Sequence, residues 1–190
     1  GAGKVGFSFG RLLAEKGVRI SGYYSRNSDS AREAAEFTNS GHYTDLGKLI
    51  KDSDAIFITV PDNAITEVYR QVAEFEIQDK YICHCSGACT AEEAFPGIHA
   101  QGAYAISIHL LFPISSKYNC WRELAGAFFC VEGDAQAVEV FVPLLRGLGL
   151  QVQTISPESK AQYHLSCALA SNFVCALVQR SAELLGGCGF

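Results

Sequence analysis

The first residues that could do chemistry form a glycine-rich motif. Gly1-Ala2-Gly3-Lys4-Val5-Gly6 has the spacing G-x-G-x-x-G. Glycines at this spacing permit a tight turn and close approach to a pyrophosphate, which a helix N-terminus then stabilises. Apolar residues continue at helical spacing to Leu13, which predicts that such a helix follows. An ordinary glycine-rich turn is the alternative. We expect a dinucleotide to bind at Gly1, Gly3, Lys4, Val5 and Gly6.

A second candidate segment follows the next strand pattern. Ser25, Arg26 and Asn27 stand where an NAD site would carry an acid for the ribose 2′-hydroxyl, and the nearest acid is Asp29. A serine and an arginine could instead hold a 2′-phosphate, so the motif favours NADP over NAD. A solvated loop arginine is the alternative interpretation of Arg26.

Three further strand patterns end in polar or conformationally special residues. Val60-Pro61-Asp62 follows one strand, Ser86-Gly87 follows the next, and His109 lies at the end of a third. Ligands of open α/β sheets bind outside the carboxyl ends of the strands, so these residues are expected to share one rim. The residues from Val60 to Asp62 and Ser86-Gly87 are expected to bind the cofactor there, with the nicotinamide over the rim. His109 could donate to a substrate carbonyl or carboxylate, although a histidine that ends a strand is often structural.

A predicted helix near the end of the chain has one polar face. Lys160, His164, Cys167 and Ser171 lie within about 60° of one another on a helical projection, and Asn172 lies beside them. A lysine or histidine on this face could donate a proton to a carbonyl or imine that accepts hydride. A solvent-facing stripe is the alternative, and only docking of the helix over the rim would make the face catalytic.

Alternating strand and helix patterns must position these residues. Strands are predicted at 18–24, 42–44, 55–60, 80–85, 103–109, 127–131 and 151–155, with helices between most of them. This order predicts an α/β fold with a doubly wound, mostly parallel sheet. Ser156-Pro157 then begins an uninterrupted helix to Leu185, the first element of an all-α domain. We predict a Rossmann-like domain over 1–156 and the start of a helical substrate or dimerisation domain over 157–190.

Composition excludes several classes of protein. The 190 residues are 48% apolar, which excludes disorder, and a net charge of −5 without a basic cluster argues against nucleic-acid binding. The longest unbroken apolar runs are too short to span a membrane, and no signal peptide opens the chain. The eight cysteines favour reduced thiols in a cytoplasmic protein. Cys83-His84-Cys85 lacks a second pair at zinc spacing, so no metal site is expected.

The motifs together resemble a known family. They occur in order as the Gly1–Gly6 loop, Ser25-Arg26-Asn27, Val60-Pro61-Asp62, Ser86-Gly87, His109 with Leu111-Phe112-Pro113, and the helix from His164 to Phe173. The chain resembles predicted oxidoreductases that join a Rossmann-like domain to a C-terminal helical domain of unknown function, distant relatives of pyrroline-5-carboxylate reductase and the 6-phosphogluconate dehydrogenase-like group.

The resemblance implies an NADP-type cofactor, a small-molecule substrate, and a helical domain that completes the active site, usually across a homodimer. One departure concerns the segment expected as His-Pro-Leu-Phe-Pro, which has Leu110 in place of the first proline. The turn after His109 therefore loses a φ constraint. The absence of Met and the motif at the first residue predict a fragment whose sheet lacks its first strand.

These features predict an oxidoreductase that transfers hydride between a nicotinamide and a small carbonyl, imine or hydroxy compound. His109 or His164 would orient the substrate or relay the proton, with Ser86 and Asn172 as hydrogen-bond partners and Lys160 as a further proton donor. A protein that binds NADP(H) as a regulatory signal without turnover is the alternative, because the cofactor motifs are clearer than the catalytic ones.

Overall fold

The computed structural model describes residues 1–190, and its seven strands form two separate sheets. A two-stranded parallel sheet pairs β1 with β2, and a five-stranded sheet has the order β3-β4-β5-β6-β7. The strands are β1 (Gly22–Tyr23), β2 (Gly41–His42), β3 (Ala55–Ile58), β4 (Tyr81–His84), β5 (Tyr104–Leu111), β6 (Phe128–Gly133) and β7 (Gln151–Thr154).

The larger sheet is parallel except for one pair. β3, β4 and β5 pair in parallel, as do β6 and β7, whereas β5 and β6 are antiparallel with His109 opposite Cys130. The expected α/β class with a mostly parallel sheet is thus confirmed. The strands divide into two sheets because β1 and β3 do not pair, in line with the expectation of a sheet that lacks the strand between them. The predicted strand over 18–24 is correspondingly reduced to two residues, which pair only with β2.

Helices cover both faces of the larger sheet. The chain forms α1 (Lys4–Glu15), α2 (Ser28–Thr38), α3 (Leu46–Lys51), α4 (Ile65–Val72), α5 (Ala91–Ala94), α6 (Cys120–Leu124) and α7 (Ala135–Gly147). A core cluster that includes Phe9 and Phe129 lies under α1 and α7, and a second that includes Tyr69 and Phe95 lies under α4 and α5. Apolar burial on both faces is what a doubly wound sheet requires.

The sequence predicts that Asp62 and Asp134 cap the helices that follow them and that Thr90 and Glu93 form a capping box. Thr90 and Glu93 form the expected capping box at the start of α5. Asp62 does not cap the next helix, because its carboxylate accepts a hydrogen bond from Ser86 instead. Asp134 precedes α7 without capping it, since its carboxylate accepts from the amide of Ala105 and contacts His99.

The terminal helical segment is continuous in direction but not in type. It comprises a 3₁₀ turn (Pro157–Ser159), α8 (Lys160–Ala168), a π-helical turn (Leu169–Phe173) and α9 (Val174–Gly187), so the prediction of an unbroken α-helix is wrong at the π turn. The stretch Pro157–Gly187 contains an 18-residue window with a mean hydropathy of 1.2, and it is long and apolar enough to cross a membrane by length and composition alone. A single helix of this kind is weak evidence for a membrane segment.

Candidate functional site

The glycine motif forms a tight loop against the end of β3. A Cβ at Gly1 would lie 2.7 Å from Thr59 Oγ1, and a Cβ at Gly6 would lie 2.2 Å from the carbonyl oxygen of Gly1. Thr59 Oγ1 also donates a 3.0 Å hydrogen bond to that carbonyl. Side chains are therefore excluded at both glycines. Thr59 was not predicted as a site residue, because a threonine inside an apolar strand pattern gives no signal of this contact.

The start of α1 is open to an anion. Gly3 occupies the N-cap position without a side-chain cap, and the first turn contains no acidic residue. Lys4 is exposed there and Val5 is half-buried. The amides of the first helical turn have no intrahelical acceptor, so they and the helix dipole favour a phosphate at this end.

The segment after β1 presents basic and polar groups to solvent. Arg26 is exposed and Ser25 is half-buried, as a 2′-phosphate subsite requires. Asn27 has another task, because its side-chain oxygen accepts hydrogen bonds from Asp29 and Ser30 and caps α2. Ser28 Oγ lies 3.0 Å from Nε2 of His42, which ends the neighbouring strand β2.

The ends of β3 and β4 are joined by a hydrogen bond between side chains. Ser86 Oγ donates to Asp62 Oδ2 at 2.7 Å and accepts from the amides of Ala88 and Cys89. These bonds use the one proton and both lone pairs of the hydroxyl. Ser86 therefore holds the turn and the Asp62 carboxylate in place, whereas Val60 and Pro61 line the rim beside them, half-buried and exposed respectively.

Two histidines from different elements converge on Gly87. A Cβ at Gly87 would lie 2.5 Å from His164 Nδ1 and 2.8 Å from His109 Nε2, so only glycine admits both rings. The ring centroids of the two histidines are 6.1 Å apart and their planes are nearly perpendicular. His164 Nδ1 is buried without a hydrogen-bond partner. The docking of α8 over the rim therefore brings His109, His164 and Gly87 together.

Burial and neighbouring positive charge keep His109 neutral. Desolvation lowers the pKa of His109 to about 4, and His164 and Lys160 contribute in the same direction. On its other side, His109 Nδ1 lies 2.8 Å from the hydroxyl of Tyr163. Tyr163, which lies one residue before His164 on α8, was not predicted as a site residue.

Lys160 attaches α8 to the sheet through buried polar contacts. Its side chain is 2% exposed, and Nζ lies 2.6 Å from Glu132 Oε1 and contacts Ser107 Oγ. Glu132 is equally buried and also accepts from the amide of Ala91 at 3.0 Å. The predicted proton donor Lys160 thus lies in a buried ion pair that attaches α8 to β6. Glu132 was missed, although a charged residue inside an apolar strand pattern is a signal for such a partner.

Asn172 is the one predicted catalytic residue that the structure does not bring to the rim. It lies in the π-helical turn, two turns beyond His164, and is exposed. The other predicted residues lie in the glycine loop, near the carboxyl ends of β3, β4 and β5 and on the first turns of α8, whereas Ser25, Arg26 and Asn27 follow β1 of the separate two-stranded sheet. No group of three or more His, Cys, Asp or Glu side chains is arranged to hold a metal ion.

This fold and site define a class of protein. The glycine loop ahead of α1, the polar strand ends and the docked helix with His164 belong to a Rossmann-like fold with a helical C-terminal part. Comparisons with known proteins agree. Residues 1–86 match the model of a family described as NADP oxidoreductase, coenzyme F420-dependent, and residues 127–190 match the domain of unknown function DUF2520.

The chain is thus similar to an NADP oxidoreductase family over its first part and to DUF2520 over its last part, and the resemblance inferred from its motifs is confirmed. The NADP class of cofactor expected from the sequence agrees with the family description. The DUF2520 match starts at residue 127 and so includes the last two strands as well as the terminal helices.

Solved structures share this fold. A protein of Bacteroides fragilis described as an NADP oxidoreductase superimposes with a TM-score of 0.75 at 20% identity, covering 100% of this chain and 71% of that one. A protein of Thermotoga maritima gives 0.67 at 25% identity, covering 100% and 69%. A reductive aminase of Aspergillus terreus, in complex with NADPH and ethyl levulinate, gives 0.74 at 16% identity, covering 100% and 65%. No curated protein matches the sequence.

Proposed function

We propose that the chain contributes the cofactor site and part of the substrate site of an NADP-dependent oxidoreductase. The reaction would transfer hydride between the nicotinamide and a small carbonyl, imine or hydroxy compound. The observation that carries this proposal is the convergence of His109 and His164 on Gly87, beside the strand ends where ligands of such sheets bind.

The residues present fit the cofactor. Gly1 and Gly6 leave a loop with no room for side chains, and the uncapped start of α1 suits a pyrophosphate. Ser25 and Arg26 would hold the 2′-phosphate, which distinguishes NADP from NAD. When bound, the cofactor supplies or accepts the hydride.

The chain's own groups would bind and orient the substrate. His109 is neutral, so its Nε2 can exchange one hydrogen bond with a substrate atom above Gly87. His164 Nδ1 faces the same space and lacks a partner within the chain. Ser86 would act indirectly by holding Asp62, and Lys160 by attaching α8 to the sheet. A homodimer and a cytoplasmic location remain predictions.

The test is oxidation of NADPH by a panel of keto acids, aldehydes and cyclic imines. Turnover of a panel member is expected, with a loss of about 100-fold or more in His109→Gln and His164→Gln, as is usual for a transition-state hydrogen-bond donor. His99→Gln is the matched control, because His99 is exposed and pairs with Asp134 away from the rim. Tight NADPH binding without turnover would instead support the regulatory alternative, and unchanged rates in both histidine variants would remove them from the mechanism.

A further inference from the structure

We propose that Tyr163 fixes His109 as the tautomer with its proton on Nε2, so that His109 is a hydrogen-bond donor over Gly87. The substrate would then present an acceptor to this nitrogen, such as a carbonyl oxygen or an imine nitrogen. The tautomer follows from contacts within the chain. Only the identification of the acceptor as substrate rests on the proposed function.

His109 is neutral, so its ring carries one proton on either Nδ1 or Nε2. A neutral imidazole has one donor and one acceptor nitrogen, and the bond made by one nitrogen decides the role of the other. Burial lowers the pKa of His109 to about 4, so the ring is neutral near pH 7. The charged and titratable groups that act on it are His164 and Lys160 on α8 and Asp62 after β3.

The bond between Tyr163 and His109 has a preferred direction. The hydroxyl of Tyr163 lies 2.8 Å from His109 Nδ1 and also faces the thiols of Cys130 and Cys167. An imidazole nitrogen is a strong acceptor and a thiol is a weak one, so the hydroxyl proton is best placed on the bond to Nδ1. Burial raises the pKa of Tyr163 well above its ordinary value, which keeps that proton in place.

The reverse arrangement makes poorer use of the same atoms. If Nδ1 of His109 donated to the phenol, the hydroxyl proton of Tyr163 would have only thiol sulfurs to bond. Nε2 would then present a bare lone pair toward Gly87, beside the unpartnered Nδ1 of His164. The observed packing therefore favours Nε2–H.

A nitrogen of each imidazole faces the same space over Gly87. Buried polar atoms are nearly always paired, and His164 Nδ1 has no partner. Nε2 of His109 approaches the same point, since it would lie 2.8 Å from a Cβ at Gly87. Two nitrogens directed at one space, with a glycine as its floor, form a recognition site for a polar atom of a small molecule.

Nuclear magnetic resonance of the full chain labelled with ¹⁵N-histidine tests the tautomer directly. Long-range ¹H–¹⁵N correlations distinguish a protonated ring nitrogen from a bare one, and His109→Gln identifies the signals of His109 among the five histidines. At pH 7 we expect a protonated Nε2 and a bare Nδ1. A native chain in which Nδ1 carries the proton would overturn the proposal.

Two variants test the role of the phenol. Tyr163→Phe removes only the hydroxyl and is expected to convert His109 to a mixture of tautomers, whereas Cys167→Ala keeps the hydroxyl and should leave the Nε2–H form unchanged. Unchanged signals of His84 and His99 verify the fold in each variant. An unaltered His109 tautomer in Tyr163→Phe would refute the assignment of control to Tyr163.

The outcome for the proposed function is separate. If a panel substrate turns over, Tyr163→Phe should lower kcat by at least about tenfold with little change in KM, because a wrong tautomer removes the donor but not the pocket. A protonated Nε2 in a chain that turns over no panel member would uphold the tautomer while the proposed function fails. Turnover with a protonated Nδ1 would do the opposite.

Discussion

Replacing Lys160 by Met should be among the most destabilising single changes outside the apolar core. The ammonium of Lys160 and the carboxylate of Glu132 are each 2% exposed, and their nearest atoms are 2.6 Å apart. Met has nearly the length of Lys but no charge, so Lys160→Met leaves the carboxylate buried without its counter-charge. Breaking a buried pair in this way costs about 3–5 kcal/mol. The free energy of unfolding of a domain is only about 5–15 kcal/mol, so the loss is a large fraction of it.

A second change provides the control. Glu132→Gln keeps an oxygen that can accept from the amide of Ala91, which lies 3.0 Å from the carboxylate in the native chain. Alone, it leaves the ammonium of Lys160 buried and unpaired, and it should cost a similar amount. The double variant Lys160→Met/Glu132→Gln has neither charge. It should be more stable than either single variant, because no buried charge remains uncompensated.

Urea denaturation followed by circular dichroism measures all four chains. The expected coupling energy is several kcal/mol and of opposite sign to the single losses. Additive losses in the double variant would refute the reasoning, since they would mean that the two charges do not compensate each other. Losses below about 1 kcal/mol in both single variants would mean that the pair is solvated and that α8 is not attached to β6 in this way.

Three further predictions concern Gly87, His109 and Arg26. Gly87→Ala should displace both facing imidazoles by about 1 Å and lower turnover about 100-fold. Gly147→Ala is the control and should leave turnover unchanged, because no atom lies within 4 Å of the new Cβ. Equal turnover rates in the two variants would contradict the packing of the histidines on Gly87. The pKa of His109 is about 4 in the folded chain and near 6.5 in the unfolded chain. Unfolding between pH 4 and 6.5 therefore takes up a proton. The free energy of unfolding falls as the pH drops through this range, by at most about 1.4 kcal/mol per pH unit. Denaturation of His109→Gln should show a shallower slope over that window, and an unchanged slope would contradict the shift. Arg26→Ala should weaken NADP⁺ binding by about 10–100-fold in calorimetry and leave NAD⁺ binding unchanged. Arg32→Ala is the control, because the guanidinium of Arg32 pairs with Asp29. Equal effects of Arg26→Ala on the binding of both cofactors would exclude a contact between Arg26 and the 2′-phosphate.

The strand-end part of the site could be predicted because it follows from local pattern and one topological rule. The run Ala55–Val60 identifies a buried strand, and the polar residues after it must lie at its carboxyl end. Parallel strands place such ends on one edge, so Asp62 and Ser86 were expected to be neighbours and do form a hydrogen bond. The same reasoning assigned to Asp62 a local role as a helix cap. A carboxylate that can cap its own helix can also accept from a distant hydroxyl, and sequence does not decide between the two.

The partners of the helix could not be predicted in the same way. The contact between His109 and Tyr163 spans 54 positions of the chain, and the pair of Lys160 with Glu132 spans 28. Neither separation follows from a helix or strand repeat, so the sequence alone does not indicate either contact. Glu132 gave only the general signal of a charge within an apolar strand, which indicates a buried partner without naming it.

The rotation of α8 explains why one predicted face contained both right and wrong residues. Helical periodicity fixes the angle between two residues of one helix, but only a contact fixes which way the helix faces. The buried pair of Lys160 with Glu132 makes one side of α8 face the sheet. His164 lies about 40° from Lys160 at 100° per residue, so it is on the same side and contacts Gly87. Asn172 lies about 120° from Lys160 on the same projection, and the intervening π turn removes any regular relation between them. The docking contact therefore selects the first turns of the polar face for the site and leaves Asn172 exposed.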